Sequence, residues 1–279
     1  MVVQQHRLWG GVCAVASVVG VGVAVAASAG CSPGGNAVAD ARPTGSSVAS
    51  VRNAADALAG AGTSKARTSM EMAAGGTRVT IRGEGHYDFR RSMGRLRVML
   101  PKDPAGTAEH RPITELLSPG ALYMKDRGAG VPADKWVRVD TTTLKDGNLV
   151  TGGATDPAAA AELLRGTRTV RYVGREDLAG VKVTHYRGTT DIAYAAKVAS
   201  PRARGALAAA AKGFARDTVP FDAYLDDAGR LRKVRHQFSF ANQGRIVDVA
   251  STTLLYEFGV PVLVQLPAHR DIYAGKIRV

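Results

Sequence analysis

Residues 77–101, TRVTIRGEGHYDFRRSMGRLRVMLP, decide how the rest of the chain is read. Val79, Ile81, Gly83, Gly85, Tyr87 and Phe89 share one parity, and Arg78, Thr80, Arg82, Glu84, His86 and Asp88 share the other. That is the period of a strand with one apolar and one wet face. After the polar break Arg90–Gly94, Leu96, Val98 and Leu100 repeat the pattern against Arg95, Arg97 and Met99, so a second strand returns along the first. A long hairpin must cover its apolar face, and whether protein or a ligand covers it is the functional question.

Working outward, Val48, Val51, Ala55 and Leu58 fall at helical spacing before Gly60, and Thr63–Ala73 reads as a weakly patterned strand. Beyond the hairpin, Ile113–Leu117, Gly120–Lys125 and Lys135–Asp140 extend one meander, each closed by Gly, Asp or Thr clusters. Asp156-Pro157 supplies an N-cap and a proline at the first position of a short alanine-rich helix that Gly166 ends. Val170–Val173 and Val181–Arg187 form a second hairpin around Ala179-Gly180. A helical stretch begins at Ile192 and restarts at Ser200-Pro201, with Ala203, Leu207, Ala210 and Phe214 on one shallow face. Val219–Leu225 and Arg230–Phe240 make a third hairpin in which Val234, His236, Phe238 and Phe240 share a parity, and Val247–Phe258 is the last strand. The class is α+β with an antiparallel sheet.

Residues 1–30 read as an export signal: Arg7 is the sole charge and Leu8–Ala29 is an unbroken apolar run. The run ends in Ala27-Ser28-Ala29-Gly30-Cys31, which resembles the lipobox of bacterial lipoproteins, with Ser28 where that family usually has a larger aliphatic residue. On this reading Cys31 is acylated, residues 31–47 are a flexible tether and 48–267 form the domain; an uncleaved membrane anchor and an ordinary signal peptide are the alternatives. Cys13 would leave with the signal, so no internal disulfide is available and the core must hold by burial. The formal charge of +13 falls to +12 without Arg7 over the remaining 279 − 30 = 249 residues. That balance favours anionic partners such as lipid head groups or acidic cell-wall polymers, and an exported chain does not meet nucleic acid.

The sequence carries no catalytic signature. HExxH, paired-cysteine, Walker and nucleophile-elbow motifs do not occur, so no metal, cofactor or catalytic residue is assigned. His269-Arg270-Asp271 spells a kinase triplet without the rest of that signature, and His86, His185 and His236 each sit in a separate strand. Gly83-Glu-Gly-His86 lacks the strand-to-helix context of a dinucleotide loop and reads as strand.

Taken together, the cysteine, Gly85–Phe89, Lys135–Val139 and Tyr256–Gly259 followed by Val260–Val264 and Pro267 resemble the LolA-like superfamily, most closely actinobacterial lipoproteins of the LppX and LprG kind. The resemblance spans about Val48–Pro267, and residues 268–279 extend past it as a tail of unassigned role. It implies a strongly curved antiparallel half-barrel closed by helices around an apolar cavity for a lipid or other acylated ligand. It further implies a non-enzymatic carrier at the outer face of the cell membrane, with room for a transport partner in the envelope. Val79, Ile81, Gly85, Tyr87, Phe89, Leu96, Val98, Leu207, Ala210, Phe214 and Phe238 are then the cavity residues. Because the covering helix is mostly alanine, space should remain, and Gly85→Leu or Ala210→Phe should cost little stability. The competing expectation is a sheet packed solid, with a basic exterior that recognises an anionic polymer or a protein.

Overall fold

A computed structural model describes residues 44–275 apart from 75–76, 102–110, 129 and 243–244. The expected signal, Cys31, most of the expected tether and the last four residues lie outside the described residues. No helix among the described residues is long and apolar enough to cross a membrane.

Five α-helices and eleven strands are described: α1 Thr44–Arg52, α2 Ala54–Ala61, β1 Thr63–Ala74, β2 Thr77–Asp88, β3 Met93–Met99, β4 Ile113–Ser118, β5 Ala121–Lys125, β6 Val137–Asp140, α3 Pro157–Leu163, β7 Thr167–Leu178, β8 Val181–Asp191, α4 Ile192–Val198, α5 Pro201–Gly213, β9 Thr218–Asp226, β10 Leu231–Asn242 and β11 Arg245–Tyr256. The strands make one open antiparallel sheet ordered β6-β5-β4-β3-β2-β1-β11-β10-β9-β8-β7. The first and last strands therefore meet at its centre, and the helices close one face of the half-barrel.

The opening hairpin is β2 and β3, with Asp88 opposite Met93 and Gly85 opposite Leu96. Its inward parity continues across the sheet: Gly85 faces Ala66 of β1, and Ala66 faces Leu255 of β11. Ala66, Leu96 and Leu255 on this row are buried and Gly85 is half-buried, while the alternates in β2 and β3 carry the charges. The same two-residue period thus sets both the strands and the core.

Local punctuation is as the sequence suggests at α3, where the Asp156 carboxylate accepts the Ala158 amide at 2.8 Å; α4 gains a cap of the same kind from Asp191, which accepts the Tyr194 amide at 2.7 Å. Elsewhere the elements differ. The single helix expected from Val48 to Leu58 is two, broken at Asn53. The second hairpin is longer than expected because register shifts at Thr167/Thr169 and Tyr172/Gly174 scramble the alternation along β7.

The segment after β11 is held at its two ends. Gly259 donates its amide to the Thr63 carbonyl at 2.9 Å, and Ile272 pairs in parallel with Trp136, whose amide donates to Asp271 at 2.8 Å. Between them an irregular strap runs from the start of β1 to the outer edge strand β6, leaving Leu263 81 % exposed. The first part of the tail is thus tied to the sheet edge.

Candidate functional site

The inner face has a floor, a roof and a filling. Val79, Ile81, Leu96, Val98, Phe238 and the Tyr87–Phe89 pair, whose rings lie 4.9 Å apart, belong to one core cluster on the floor side. Leu207 and Ala210 come from α5 above and Phe214 from the residue that ends it, packed 5.1 Å from Phe238. Gly85 lies in the floor, but a side chain there would run into the Arg95 carbonyl of the neighbouring strand, so Gly85→Leu is a backbone problem rather than a neutral change. Ala210 is fully buried with Gly147 against it, so enlarging it overpacks a filled site.

Between floor and roof runs the connection of residues 141–156. The Asp146 carboxylate organises it, accepting the amides of Val150 at 2.7 Å and Thr151 at 2.6 Å and the Thr151 hydroxyl at 2.8 Å. Left-handed Gly147, Asn148 and Gly153 turn the chain so that Leu149, Val150 and Ala154 are buried. Gly153 rests on Ile81 and Val98, Ala154 on Gly83, and Gly147 on the Ala206 carbonyl of α5. Thr155 donates to the Leu149 carbonyl at 2.8 Å and lies 2.5 Å from the Ser251 hydroxyl on the floor. Because Thr155 has one proton and spends it on Leu149, Ser251 is the donor of that second bond. This plug occupies the space that the alanine-rich helix leaves.

The floor beneath it is partly polar. Thr68 faces Thr253, and Ser251 faces His236, giving four adjacent polar side chains 1–3 % exposed. The hydroxyls of Thr68 and Thr253 and Nε2 of His236 have no hydrogen-bond partner. Burial pushes His236 down to about 3, so its ring is neutral. On β4, Glu115 faces Leu96 and Met124 and is fully buried with both oxygens unpartnered. Burial pushes its carboxyl up to about 8 against the opposing charge of Arg127, so it is protonated at neutral pH.

One end of the inner face opens to solvent through a cleft of about 170 Å³ lined by Ala55, Tyr87, Phe89, Asp156, Ala159 and Ala203. Burial, then the nearby Asp156 charge, holds the Tyr87 hydroxyl well above its usual range, and burial raises Asp156 against the Tyr87 hydroxyl and the α3 amides. Arg90, Arg165 and Arg202 reach the rim. Arg165 is committed to Asp56 at 2.6 and 2.8 Å and to Glu162 at 2.9 Å. Arg90 donates to the Gly60 carbonyl at 3.1 Å. Arg202 is exposed.

The three strand histidines do not converge. His236 is internal, His86 lies near Arg95 on the outer face, and His185 sits between Glu176 and Asp222, 2.7 Å from each, stacked on Tyr224. Among the described residues no group of three His, Cys, Asp or Glu is placed to hold a metal.

The solved structures to which the chain is similar include lipoproteins and a lipoprotein-sorting domain. LprF from Mycobacterium bovis is 14 % identical, with 81 % of this chain covering 99 % of that one at a TM-score of 0.41. The Mycobacterium tuberculosis lipoprotein LppX is 9 % identical, with coverage of 79 % and 99 % and a TM-score of 0.43. An outer membrane lipoprotein-sorting protein domain from Vibrio parahaemolyticus is 10 % identical, with coverage of 78 % and 94 % and a TM-score of 0.32. At these identities and scores the likeness is one of general architecture. No protein-family model matches the chain, and no curated protein matches its sequence.

The plug, Glu115 and the polar floor were not singled out in sequence. The plug had a signal in its length, beyond the ~12–15 residues that ordinary loops reach, and in the apolar pair Leu149-Val150 amid Gly, Asn and Thr.

Proposed function

We propose that this chain is an exported lipoprotein, anchored at the outer face of the cell membrane through acylated Cys31, that carries a lipid or other acylated ligand against the inner face of its half-barrel. It works by binding and performs no chemistry on its cargo. The observation that carries the reading is the nature of the filling. The centre of the inner face is covered by an irregular glycine-bearing segment, which can leave without unpairing a strand or melting a helix, and the cleft opens beside Gly147 and Asn148 of that segment. Val79, Ile81, Tyr87, Phe89, Leu96, Val98, Leu207, Ala210, Phe214 and Phe238 would contact the ligand after it leaves.

The test is extraction of the full chain carrying Cys31→Ala, followed by lipid mass spectrometry and titration with a fluorescent acyl probe. Co-purified lipid and saturable probe uptake are expected, and the absence of both would refute the reading.

A second reading has its own observation. A hollow of about 540 Å³ is lined by Arg78, Arg216 and Arg235 beside Glu71 and Asp248. An anionic envelope polymer or protein held there, with the inner face permanently filled, would leave acyl uptake absent and make binding to acidic polymer salt-sensitive.

A further inference from the structure

We propose that Thr68, Thr253, Ser251 and His236 form a hydrogen-bonding subsite for a hydroxyl- or carbonyl-bearing group part-way along the acyl ligand, reached when the segment 141–155 withdraws. This rests on the carrier reading and specifies the ligand's chemistry.

Four observations converge on it. The residues are contiguous: Thr68 and Thr253 are directly opposed on β1 and β11, Ser251 and His236 are directly opposed on β11 and β10, and Ser251 and Thr253 share one parity of β11. They are almost completely buried, and three of them present unpartnered polar atoms. A buried polar atom left unmatched is costly, and at Thr68 and Thr253 a floor meant only for hydrocarbon would carry valine at no loss of shape.

The fourth observation is the contact made by the plug. Thr155 places a hydroxyl on the patch and accepts a hydrogen bond from Ser251 at 2.5 Å. That is the interaction a ligand hydroxyl or ester oxygen would make in its place. His236 contributes an uncharged ring held beside Phe238 and Phe221, so it can donate or accept without bringing a charge to the groove. The patch also lies at depth. Ser64 is in the floor row of Tyr87 at the cleft end, and Thr68 lies four residues further along the same strand, about 13 Å at strand rise. A group meeting it therefore sits mid-chain on a ligand whose head remains in the cleft.

The experiment compares octadecanoic acid with its analogue hydroxylated at the twelfth carbon, each competing against a fluorescent acyl probe on the Cys31→Ala full chain. The hydroxylated acid is expected to bind about tenfold more tightly. In a Thr68→Val/Thr253→Val variant the two acids should bind within about twofold of each other, and its melting midpoint should not fall, because the exchange removes unmatched polar atoms while keeping shape. Equal binding of both acids to the parent would overturn the subsite, leaving those groups to buried water only, while the carrier reading stands. Failure of either acid to displace the probe, or of the probe to bind, would remove the carrier reading with it. Persistence of the preference in the folded double variant would place the recognition elsewhere and overturn the assignment.

Discussion

Replacing Glu115 with glutamine should abolish a large alkaline loss of stability. In the folded protein the buried carboxyl keeps its proton up to about 8, whereas an exposed glutamate gives it up near 4.5. Below the lower value both states are protonated and the group contributes nothing to the pH dependence. Between the two values the folded state holds the extra proton, so stability falls as pH rises; above the upper value both states are ionised and the loss is complete. At about 1.36 kcal/mol per pH unit, the three units from pH 5 to 8 correspond to about 4 kcal/mol. Glutamine has the same shape and no charge to bury, so the variant lacks this slope. Urea unfolding followed by circular dichroism at pH 5, 6, 7 and 8 measures it. With a slope of about 2 kcal/mol per molar urea, the parent midpoint should fall relative to the variant by about 2 M across that range. Other titrating groups are common to both proteins and cancel in the comparison. Parallel profiles for parent and variant would mean that Glu115 finds a charge partner or water when ionised, and would refute the argument that burial governs it.

The other tests address the remaining parts of the interior. His236 stays neutral in the fold down to about 3 while its unfolded value is 6.5, so stability should rise with pH across that window, and His236→Phe should flatten the limb in acid unfolding curves. Leu149→Ala removes a fully buried plug side chain and should cost about 2–5 kcal/mol while speeding uptake of an acyl probe in stopped-flow measurements. Ala210→Phe should lower stability by about 1–3 kcal/mol, read from the urea midpoint, since Gly147 already fills the space beside it. On the proposed anchoring, Cys31→Ala should move the protein from the membrane to the soluble extracellular fraction, read by fractionation, because a lipid on that cysteine would be the sole attachment.

What was legible in sequence followed from short-range physics. The parity of residues 77–101 gives β2, β3 and their inward face; Asp156-Pro157 gives the start of α3; Ser200-Pro201 restarts the helix as α5. The half-barrel itself came through resemblance, since no local pattern states that β1 pairs with β11 across the whole chain. The filling was missed for a related reason. Residues 141–155 have no period, because glycine and asparagine in left-handed conformations aim successive side chains irregularly, and burial there is a tertiary fact. Glu115 sits in a strand where charge ordinarily marks the wet face, so alternation places it wrongly unless its neighbours Leu96 and Met124 are known. The polar floor was hidden because Thr and Ser in strands suit either face.

On the proposed carrier reading, these parts set whether loading can be reversible. An acyl chain that leaves a bilayer for the groove moves from hydrocarbon to hydrocarbon, so its methylenes, worth ~0.8 kcal/mol each against water, contribute little net. Displacing the plug returns Leu149 and Val150 to solvent, which costs about 3–6 kcal/mol together. A purely hydrocarbon ligand has nothing to offset that cost, and the closed state would win. A ligand that also satisfies Thr68, Thr253 and His236 and replaces Thr155 on Ser251 gains about 1 kcal/mol per matched bond and relieves atoms that the plug leaves unpaired. The opposing quantities are then of similar size. Small changes at either end, such as ionisation of Glu115 near its upper pH value or loss of Leu149, would shift the protein between closed and loaded forms.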